Sequence, residues 1–380
     1  MTTSKPSLDL LTELTDENVL SALIDEPRLT RAELATITGI SKPTVGESVR
    51  RLTEAGLIRD TGERTTGRGR VGTYYALSAD VGCALTVSIA SEGIVAETVD
   101  LRGQTLSRTV VEVPRPASSA TVSSVLLTAV ESAADSTRAA IRLAVVSAAD
   151  PVDRLTGRLV QLPDTPFLVG ELDAKTTLAD LVTGPVLVDN DVNWAAMAER
   201  AADPATPMDN FVYIYLGEGL GAAVVSDGEV RRGHAGMSGE IAHLITTGPR
   251  GRAMPCTEVF RELRLRHPGS TAINVSALTA EIIAPGVKAH RTRQAVAAAI
   301  AGVLAAAVAF TDPEVIVIGG SWGIHPTVIE AVSAAFSEHP RHVPVRAATV
   351  MDDAPLTGAR NHAVKQLRAL ITGYRRTSTG

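Results

Sequence analysis

The sequence predicts an α/β protein in which a small winged helix-turn-helix domain precedes a much larger α/β domain. At 380 residues the chain is too long for one ordinary hydrophobic core, so at least two domains are expected. Three short helical patterns and an Arg/Gly-rich loop come first, and strand and helix patterns alternate after them. We place the boundary after Leu77, which gives domains at residues 1–77 and 78–380.

The composition is typical of a soluble, cytoplasmic protein. Apolar residues make up 45% of the chain and aromatic residues 3%. The longest apolar run, Ala295–Phe310, is shorter than the ~20 residues needed to span a bilayer, and the N-terminus has no signal-peptide pattern. Two cysteines, Cys83 and Cys256, cannot form a disulfide framework, which fits a reducing compartment.

Positive charge is concentrated in one part of the N-terminal domain, although the formal net charge of the chain is −6. Residues 1–40 carry three Lys/Arg and seven Asp/Glu, whereas residues 41–70 carry seven Lys/Arg and four Asp/Glu. A local basic excess is what a nucleic-acid-binding surface requires.

Three helices are predicted before residue 55. Apolar residues at helical spacing define the first, which we start at Thr15: Val19, Leu20, Leu23 and Ile24. Thr30 and Glu33 form a capping box that opens the second, and Gly39 ends it. This second helix is expected to bury Leu34, Ala35 and Ile37. Ser41 caps the third, whose inward-facing residues are Val45, Val49 and Leu52.

The residues after the third helix predict a wing. Leu57–Arg59 and Thr73–Leu77 pair as strands around the loop Asp60–Gly72. Glycine lets such a loop follow a DNA groove, and arginine meets phosphate or a narrow minor groove. We therefore predict these DNA-binding residues: Ser41, Lys42, Thr44, Glu47, Arg50, Arg64, Arg68 and Arg70. The alternative is a small helical domain that binds another protein.

A glycine-rich stretch, Phe211–Leu244, organises the larger domain. It begins with a strand, continues through a Gly-x-Gly-x-Gly turn, and contains a hairpin turn at Ser226-Asp227-Gly228. Its end delivers Glu240 and His243 three residues apart, so a helical turn there would place both on one face. A carboxylate beside an imidazole suits a polyhydroxylated ligand. The alternative is a hairpin with a solvated glutamate and a structural histidine.

A second candidate site follows the strand Pro185–Val188, which leads to Asn190 and Asp191. An aspartate at the C-terminal end of a strand lies in the crevice where open α/β sheets bind ligands. The alternative is that Asp189, Asn190 and Asp191 only cap the following helix, Trp194–Ala202.

These motifs resemble the signature of the ROK family (repressor, open reading frame, kinase), which joins sugar kinases and sugar-responsive repressors on one fold. The matching residues, in family order, are Gly217-Glu218-Gly219-Leu220-Gly221, Asp227-Gly228, Arg232-Gly233, Gly236 and Gly239-Glu240-Ile241-Ala242-His243. The likeness runs from about Val81 to the C-terminus, and the family's repressor branch carries a winged helix-turn-helix domain at the N-terminus.

The resemblance implies a two-lobed, actin-like (ribonuclease H-like) domain with a sugar site between the lobes. The sugar ligands carried over from the family motifs are Asn190, Asp191, Glu240, His243, Glu258 and, where the family often has Asn, Gln161. In the family's kinases the aspartate matching Asp191 is the general base.

Departures from the family pattern argue against catalysis and against a metal. Ser88 and Ala90 stand where the kinases have the Asp and Gly of a phosphate loop. Glu218 stands where they usually have a Thr that faces phosphate, and a carboxylate there repels phosphate oxygens. The family's zinc site uses a His and three cysteines, of which only His243 and Cys256 are present, so no metal is expected.

The sequence therefore predicts a DNA-binding transcriptional repressor of carbohydrate metabolism that binds a sugar or sugar phosphate, without ATP or another cofactor. Its expected partners are double-stranded, palindromic operator DNA and further copies of itself in a homodimer or homotetramer, with no membrane. Two alternatives stay open. One is a sugar kinase with a fused DNA-binding domain, which Asp191 favours. The other is a regulator that no longer takes sugar, suggested by the missing cysteines and by Ala242, where the family usually has Gly.

Overall fold

The structure is a computed structural model that describes residues 8–66, 71–91, 93–114, 118–162 and 172–373. Its N-terminal part combines three helices with a three-stranded sheet of order β1-β3-β2. The elements in chain order are α1 (Leu8–Asp25), β1 (Leu29–Thr30), α2 (Arg31–Thr38), α3 (Lys42–Glu54), β2 (Ile58–Arg64) and β3 (Thr73–Leu77). This is the predicted winged helix-turn-helix.

Local signals in this region act as predicted. The Glu33 carboxylate accepts a hydrogen bond from the Thr30 amide at 2.8 Å, and the Thr30 hydroxyl accepts one from the Glu33 amide at 3.2 Å. Gly39 ends α2 in the left-handed conformation, and Ser41 caps α3. The prediction for Ile37 was wrong: it is 56% exposed, because Leu34 is the one side chain that α2 buries.

Two boundaries in this domain also differ from the prediction. The first helix begins at Leu8 rather than Thr15. Strand β2 continues to Arg64 instead of stopping at Arg59, with a register shift between Asp60 and Arg64 where it pairs with β3. Arg64 therefore lies on a strand and not in the wing loop. Arg68 and Arg70 lie outside the described residues.

The first lobe of the larger domain is built on a five-stranded sheet of order β6-β5-β4-β7-β8. Strands β4, β5 and β6 are antiparallel neighbours, and β7 and β8 run parallel to β4. Its elements are β4 (Cys83–Ala90), β5 (Gly93–Val99), β6 (Thr105–Val111), α4 (Ser119–Asp135), β7 (Ile141–Ala148), α5 (Ala174–Leu178), β8 (Val186–Asn190) and α6 (Asp191–Ala201). Strand β6 was not predicted, because its sequence contains few apolar residues and its side chains are exposed or only partly buried.

The second lobe repeats this topology on a sheet of order β11-β10-β9-β14-β15. Its elements are β9 (Phe211–Leu216), β10 (Leu220–Ser226), β11 (Glu229–Val230), β12 (Ile245–Thr247), β13 (Ala253–Pro255), α7 (Cys256–Glu262), α8 (Val275–Ile283), α9 (Val287–Thr311), β14 (Val315–Gly319), α10 (Pro326–Ser337) and β15 (Val345–Ala347). The last helix, α11 (Ala354–Thr372), returns to the first lobe, where it packs against β4 and β7. If the strands of each sheet are numbered one to five in chain order, both sheets have the order 3-2-1-4-5. This repeated order gives the predicted two-lobed, actin-like fold.

Helix α9 is long and apolar enough to cross a bilayer by length and composition alone. In the structure it packs against α7, α8, α10 and β12. Its side chains Val296, Ile300 and Leu304 lie in the main apolar cluster of the second lobe, so α9 is a core helix of that lobe.

The winged helix-turn-helix is packed directly against the first lobe. One continuous apolar cluster contains Leu20 and Leu23 of α1 together with Leu367 and Ile371 of α11. The Arg102 guanidinium, in the turn after β5, donates to the carbonyl oxygens of Leu23 at 2.9 Å and Glu26 at 3.2 Å. Helix α11 also packs against α6, so a single helix touches both the DNA-binding fold and the element that begins at Asp191.

Candidate functional site

A cavity of about 310 Å³ lies between the two lobes, near the lower end of the ~300–1,000 Å³ typical of small-ligand sites. The first lobe contributes residues from the C-terminal ends of β7 and β8 and from the tip of the β4–β5 hairpin. The second lobe contributes the glycine-rich turn before β10 and the turn after β11. The polar residues that line it are Ser91, Asp150, Asn190, Asp191, Tyr215, Glu218, Glu240, His243 and Ser321.

Asn190 and Asp191 lie both at the start of α6 and on the wall of the cavity, the two alternatives that the sequence left open. Asn190 caps α6, since its Oδ1 accepts from the Val192 amide at 3.0 Å, and its Nδ2 donates to the Asp150 carbonyl at 3.2 Å. Both residues nevertheless line the cavity. Asp189 instead holds the two lobes together, because its buried carboxylate accepts from Arg232 Nε at 2.6 Å and so anchors the glycine-rich segment of the second lobe.

Glu240 and His243 converge on the cavity as predicted, although the turn between them is a 3-10 turn, Ile241–His243, rather than an α-helical one. Side chains three residues apart eclipse one another in 3-10 geometry, which suits this convergence. The preceding Gly239 has φ 98° and accepts from the Ala222 amide at 2.9 Å, which fixes the turn against β10. Burial raises the pKa of Glu240 to about 7.

Asp150 is a lining residue that the sequence analysis missed. It is 3% exposed, and its Oδ1 has no hydrogen-bond partner in the part of the chain that the structure describes. Burial, followed by the charges of Asp191 and Glu240, raises the pKa of Asp150 to about 8. Asp150 follows β7 as Asp191 follows β8, and because β7 and β8 are parallel neighbours, both aspartates reach the same edge of the sheet.

Two predicted sugar ligands are not brought to the cavity. Gln161 is exposed, and its neighbour Leu162 lines the cavity instead. The Glu258 carboxylate, on α7, accepts from Arg261 and, at 3.1 Å, from Arg266. Burial raises the pKa of Glu258, but the two arginines outweigh it and leave that pKa lowered. Glu258 is thus held by its own helix and the following loop.

The segment that carries zinc in the resembled family is closed here by hydrogen bonds. Pro249 and Gly251, which occupy the places of the first two cysteines, lie in a 3-10 turn between β12 and β13. The Gly248 amide donates to the Arg252 carbonyl at 2.8 Å. Burial raises the pKa of the Cys256 thiol to about 12, which disfavours the thiolate that zinc needs. The residues present do not fit a zinc site, and the described ranges hold no other group of His, Cys, Asp or Glu that could bind a metal ion.

The residues that depart from the resembled family's kinase pattern lie in the β4–β5 hairpin and in the glycine-rich turn before β10. Ser88 is paired with Val95 inside the β4–β5 hairpin, and Ala90 lies at its tip on the cavity wall. Glu218 also lines the cavity, and its carbonyl oxygen accepts from the Ile273 amide at 2.9 Å. A carboxylate therefore stands beside the glycine-rich turn where the family's kinases would receive phosphate.

The side chains of α3 and its cap that are predicted to contact DNA are all exposed: Ser41, Lys42, Thr44, Glu47 and Arg50. Arg50 is ion-paired with Glu47 at 3.1 Å and with Glu54 at 2.7 Å, and Arg64 with Asp60 at 3.0 Å. Exposed pairs of this kind are weak because solvent screens them, so phosphate can displace them.

Comparison with known proteins matches both parts of the chain. Residues 84–260 and 270–366 match the model of the ROK family, and residues 13–59 match that of a winged helix-turn-helix DNA-binding domain. The chain is 32% identical to an N-acetylmannosamine kinase of Citrobacter koseri over 194 residues, which are 48% of this chain and 66% of that kinase. It is 21% identical to the Xylose repressor of Bacillus subtilis over 251 residues, 60% of this chain and 59% of the repressor. The match spans less than two thirds of either relative.

Solved structures share the fold. A ROK family transcriptional regulator, a homologue of the E. coli MLC protein, has a TM-score of 0.64 at 20% identity and covers 96% of this chain and 97% of its own. A ROK family glucokinase from Streptomyces griseus, solved with glucose and AMPPNP, has a TM-score of 0.57 at 23% identity and covers 75% of this chain and 100% of its own. These likenesses confirm the predicted fold class.

Proposed function

Because this chain belongs to the ROK family, we propose that it is a transcriptional repressor whose affinity for DNA changes when a sugar enters the cavity between its lobes. The observation that carries the proposal is the docking of a winged helix-turn-helix on the lobe that bears Asp191. One apolar core runs through both, and α11 packs on α1 and on α6. A ligand that favours one arrangement of the lobes then biases the position of the DNA-binding fold.

DNA binding is proposed to use α3 and the wing. The double variant Arg68→Ala, Arg70→Ala should weaken binding and make the salt dependence shallower by about two units, because each phosphate contact contributes roughly 0.9 to the slope. Mobility-shift titrations at several salt concentrations, on DNA recovered from a genomic footprint of the bound protein, measure both effects. Lys42→Ala should instead change sequence preference.

Arg341→Ala provides a control for charge, since this arginine is on the second lobe and is paired with Asp312. It should leave the titration unchanged. If the double wing variant also matches the unaltered protein at every salt concentration, the wing does not contact DNA.

The cavity is proposed to bind a sugar without phosphorylating it. Calorimetry with a sugar panel should find a ligand whose heat is lost in Asp191→Ala and in Glu240→Ala, with no ATP heat and no ADP release. Glu258→Ala should keep binding, because its carboxylate is held by Arg261 and Arg266 away from the cavity.

The rival functions give different results in the same experiment. Sugar-dependent ADP production that Asp191→Ala abolishes would make the chain a sugar kinase, as its likeness to N-acetylmannosamine kinase allows. A complete absence of sugar heat would indicate a regulator that no longer takes sugar.

We also propose that the protein acts in the cytoplasm as a homodimer or homotetramer on a palindromic operator. A helix-turn-helix dimer reads two half-sites about one helical turn apart, so two-fold symmetry in the protein is matched by symmetry in the DNA.

A further inference from the structure

The charged groups that line the cavity limit the classes of ligand that can bind there. Four carboxylates line it, from Asp150, Asp191, Glu218 and Glu240, and His243 is the basic residue among the lining side chains. Neither lysine nor arginine contributes to the wall that the described residues form. A ligand in this cavity therefore meets a wall that is rich in acidic groups and contains no lysine or arginine among the described residues.

Arginines from the surrounding elements are already engaged. Arg232 is bound to Asp189 at 2.6 Å, and Arg266 donates to Thr257 at 2.6 Å and to Glu258 at 3.1 Å. These bonds direct the guanidinium groups to acidic and hydroxyl partners outside the cavity.

Of these four residues, Asp150 gives the strongest indication of the ligand's chemistry. It is almost fully buried at the end of β7, and its Oδ1 lacks a hydrogen-bond partner in the described structure. A buried acceptor without a partner is costly, and a charged one more so. A ligand that places a donor there removes this cost, and a protonated amine beside these groups also favours the ionised forms of Asp150 and Glu240, whose pKa values burial raises.

We propose that the ligand is an amino sugar with a free, protonated amino group, held by Asp150 together with Asp191 and Glu240. This inference rests on the proposed sugar-binding function and names its ligand class. The hydroxyl groups of such a ligand match the remaining carboxylate, amide and imidazole groups, each of which accepts or donates hydrogen bonds. A sugar phosphate fits badly, since its oxygens would face four acceptor groups with no guanidinium or ammonium on the wall that the described residues form.

Calorimetry on the full chain at neutral pH tests the proposal with matched ligands. For each of glucose, mannose and galactose, the probes are the 2-amino sugar, its N-acetyl derivative, the parent sugar and its 6-phosphate. In at least one series the amino sugar should bind about 10-fold or more tightly than the N-acetyl and parent forms, and the phosphate most weakly. The ratio of amino-sugar to parent-sugar affinity should fall about 10-fold in Asp150→Asn, which preserves side-chain shape but cannot ionise when the ligand's ammonium group binds beside it.

Asp227→Asn is the control, because this exposed aspartate lies in the β10–β11 turn outside the cavity, and the affinity ratio should not change. Glu240→Gln supplies a second variant if Asp150→Asn does not fold, and it too should lower the ratio. Equal or tighter binding of the parent, N-acetyl or phosphorylated sugar overturns the inference while leaving the proposed function intact. A failure of every sugar to bind overturns both.

Discussion

Replacing Gly239 with alanine is expected to destabilise the protein by about 2–5 kcal/mol and to abolish ligand binding. Gly239 has φ 98°, a conformation that residues with a side chain rarely adopt. A Cβ there would lie 1.9 Å from the carbonyl oxygen of Ala222, which is backbone and cannot swing aside. The turn that carries Glu240 and His243 would have to move away from β10. Denaturant unfolding and calorimetry with the cavity's ligand measure the two effects.

Gly286→Ala separates backbone strain from steric overlap. Gly286 has φ 104°, close to that of Gly239, but nothing lies within 4 Å of the position its Cβ would take. This variant should lose only the conformational part, about 1–3 kcal/mol, and should keep its ligand affinity. If both variants lose the same stability and both still bind, close contact between Gly239 and β10 does not shape the site.

Features set by neighbouring residues could be predicted from the sequence. The Thr30–Glu33 capping box and the Asp227-Gly228 turn are both present, the turn with φ 52° and 74° at its two central residues. Such features depend on hydrogen bonds and backbone sterics within a few residues, so the local sequence contains the whole cause. Strand β9 and the helix caps belong to the same class.

Features set by distant residues could not be predicted in this way. Whether Glu258 faces a sugar depends on Arg266, whose guanidinium reaches back to it from the loop after α7. Asp150 became a cavity residue because β7 and β8 are adjacent and parallel, with Ala148 opposite Asn190. The family motif carries no information on either point, since both depend on residues outside it. Ile37 shows the same limit, because helical spacing does not say which face a neighbouring element covers.

Besides its apolar packing, α11 is bonded to the first sheet through one buried carboxylate. Glu97, on β5, is 1% exposed and accepts from Arg360 of α11 at 2.7 Å and from Arg108 of β6. Arg108 also pairs with Asp353 at 2.9 Å, just before α11 begins. The network thus fixes the start of the helix that packs on both α6 and α1. Because the Glu97 carboxylate is bonded to two guanidinium groups, we expect it to contribute more to the free energy of unfolding than the carboxylate of an isolated ion pair does.

Glu97→Ala should therefore lower the free energy of unfolding by roughly 3 kcal/mol or more, since removing one partner of a buried ion pair leaves the other charges uncompensated. Arg341→Ala is the matched control: it also breaks a pair between an arginine and a carboxylate, but the Asp312 and Arg341 side chains are 83% and 57% exposed, so the loss should stay below about 1 kcal/mol. Denaturant unfolding of both variants gives the comparison. Since α11 joins the cavity helix to the DNA-binding fold, Glu97→Ala should also reduce the effect of ligand on DNA affinity in the mobility-shift assay. Equal stability losses in the two variants, with an unchanged ligand effect, would mean that neither the fold nor the coupling depends on this network.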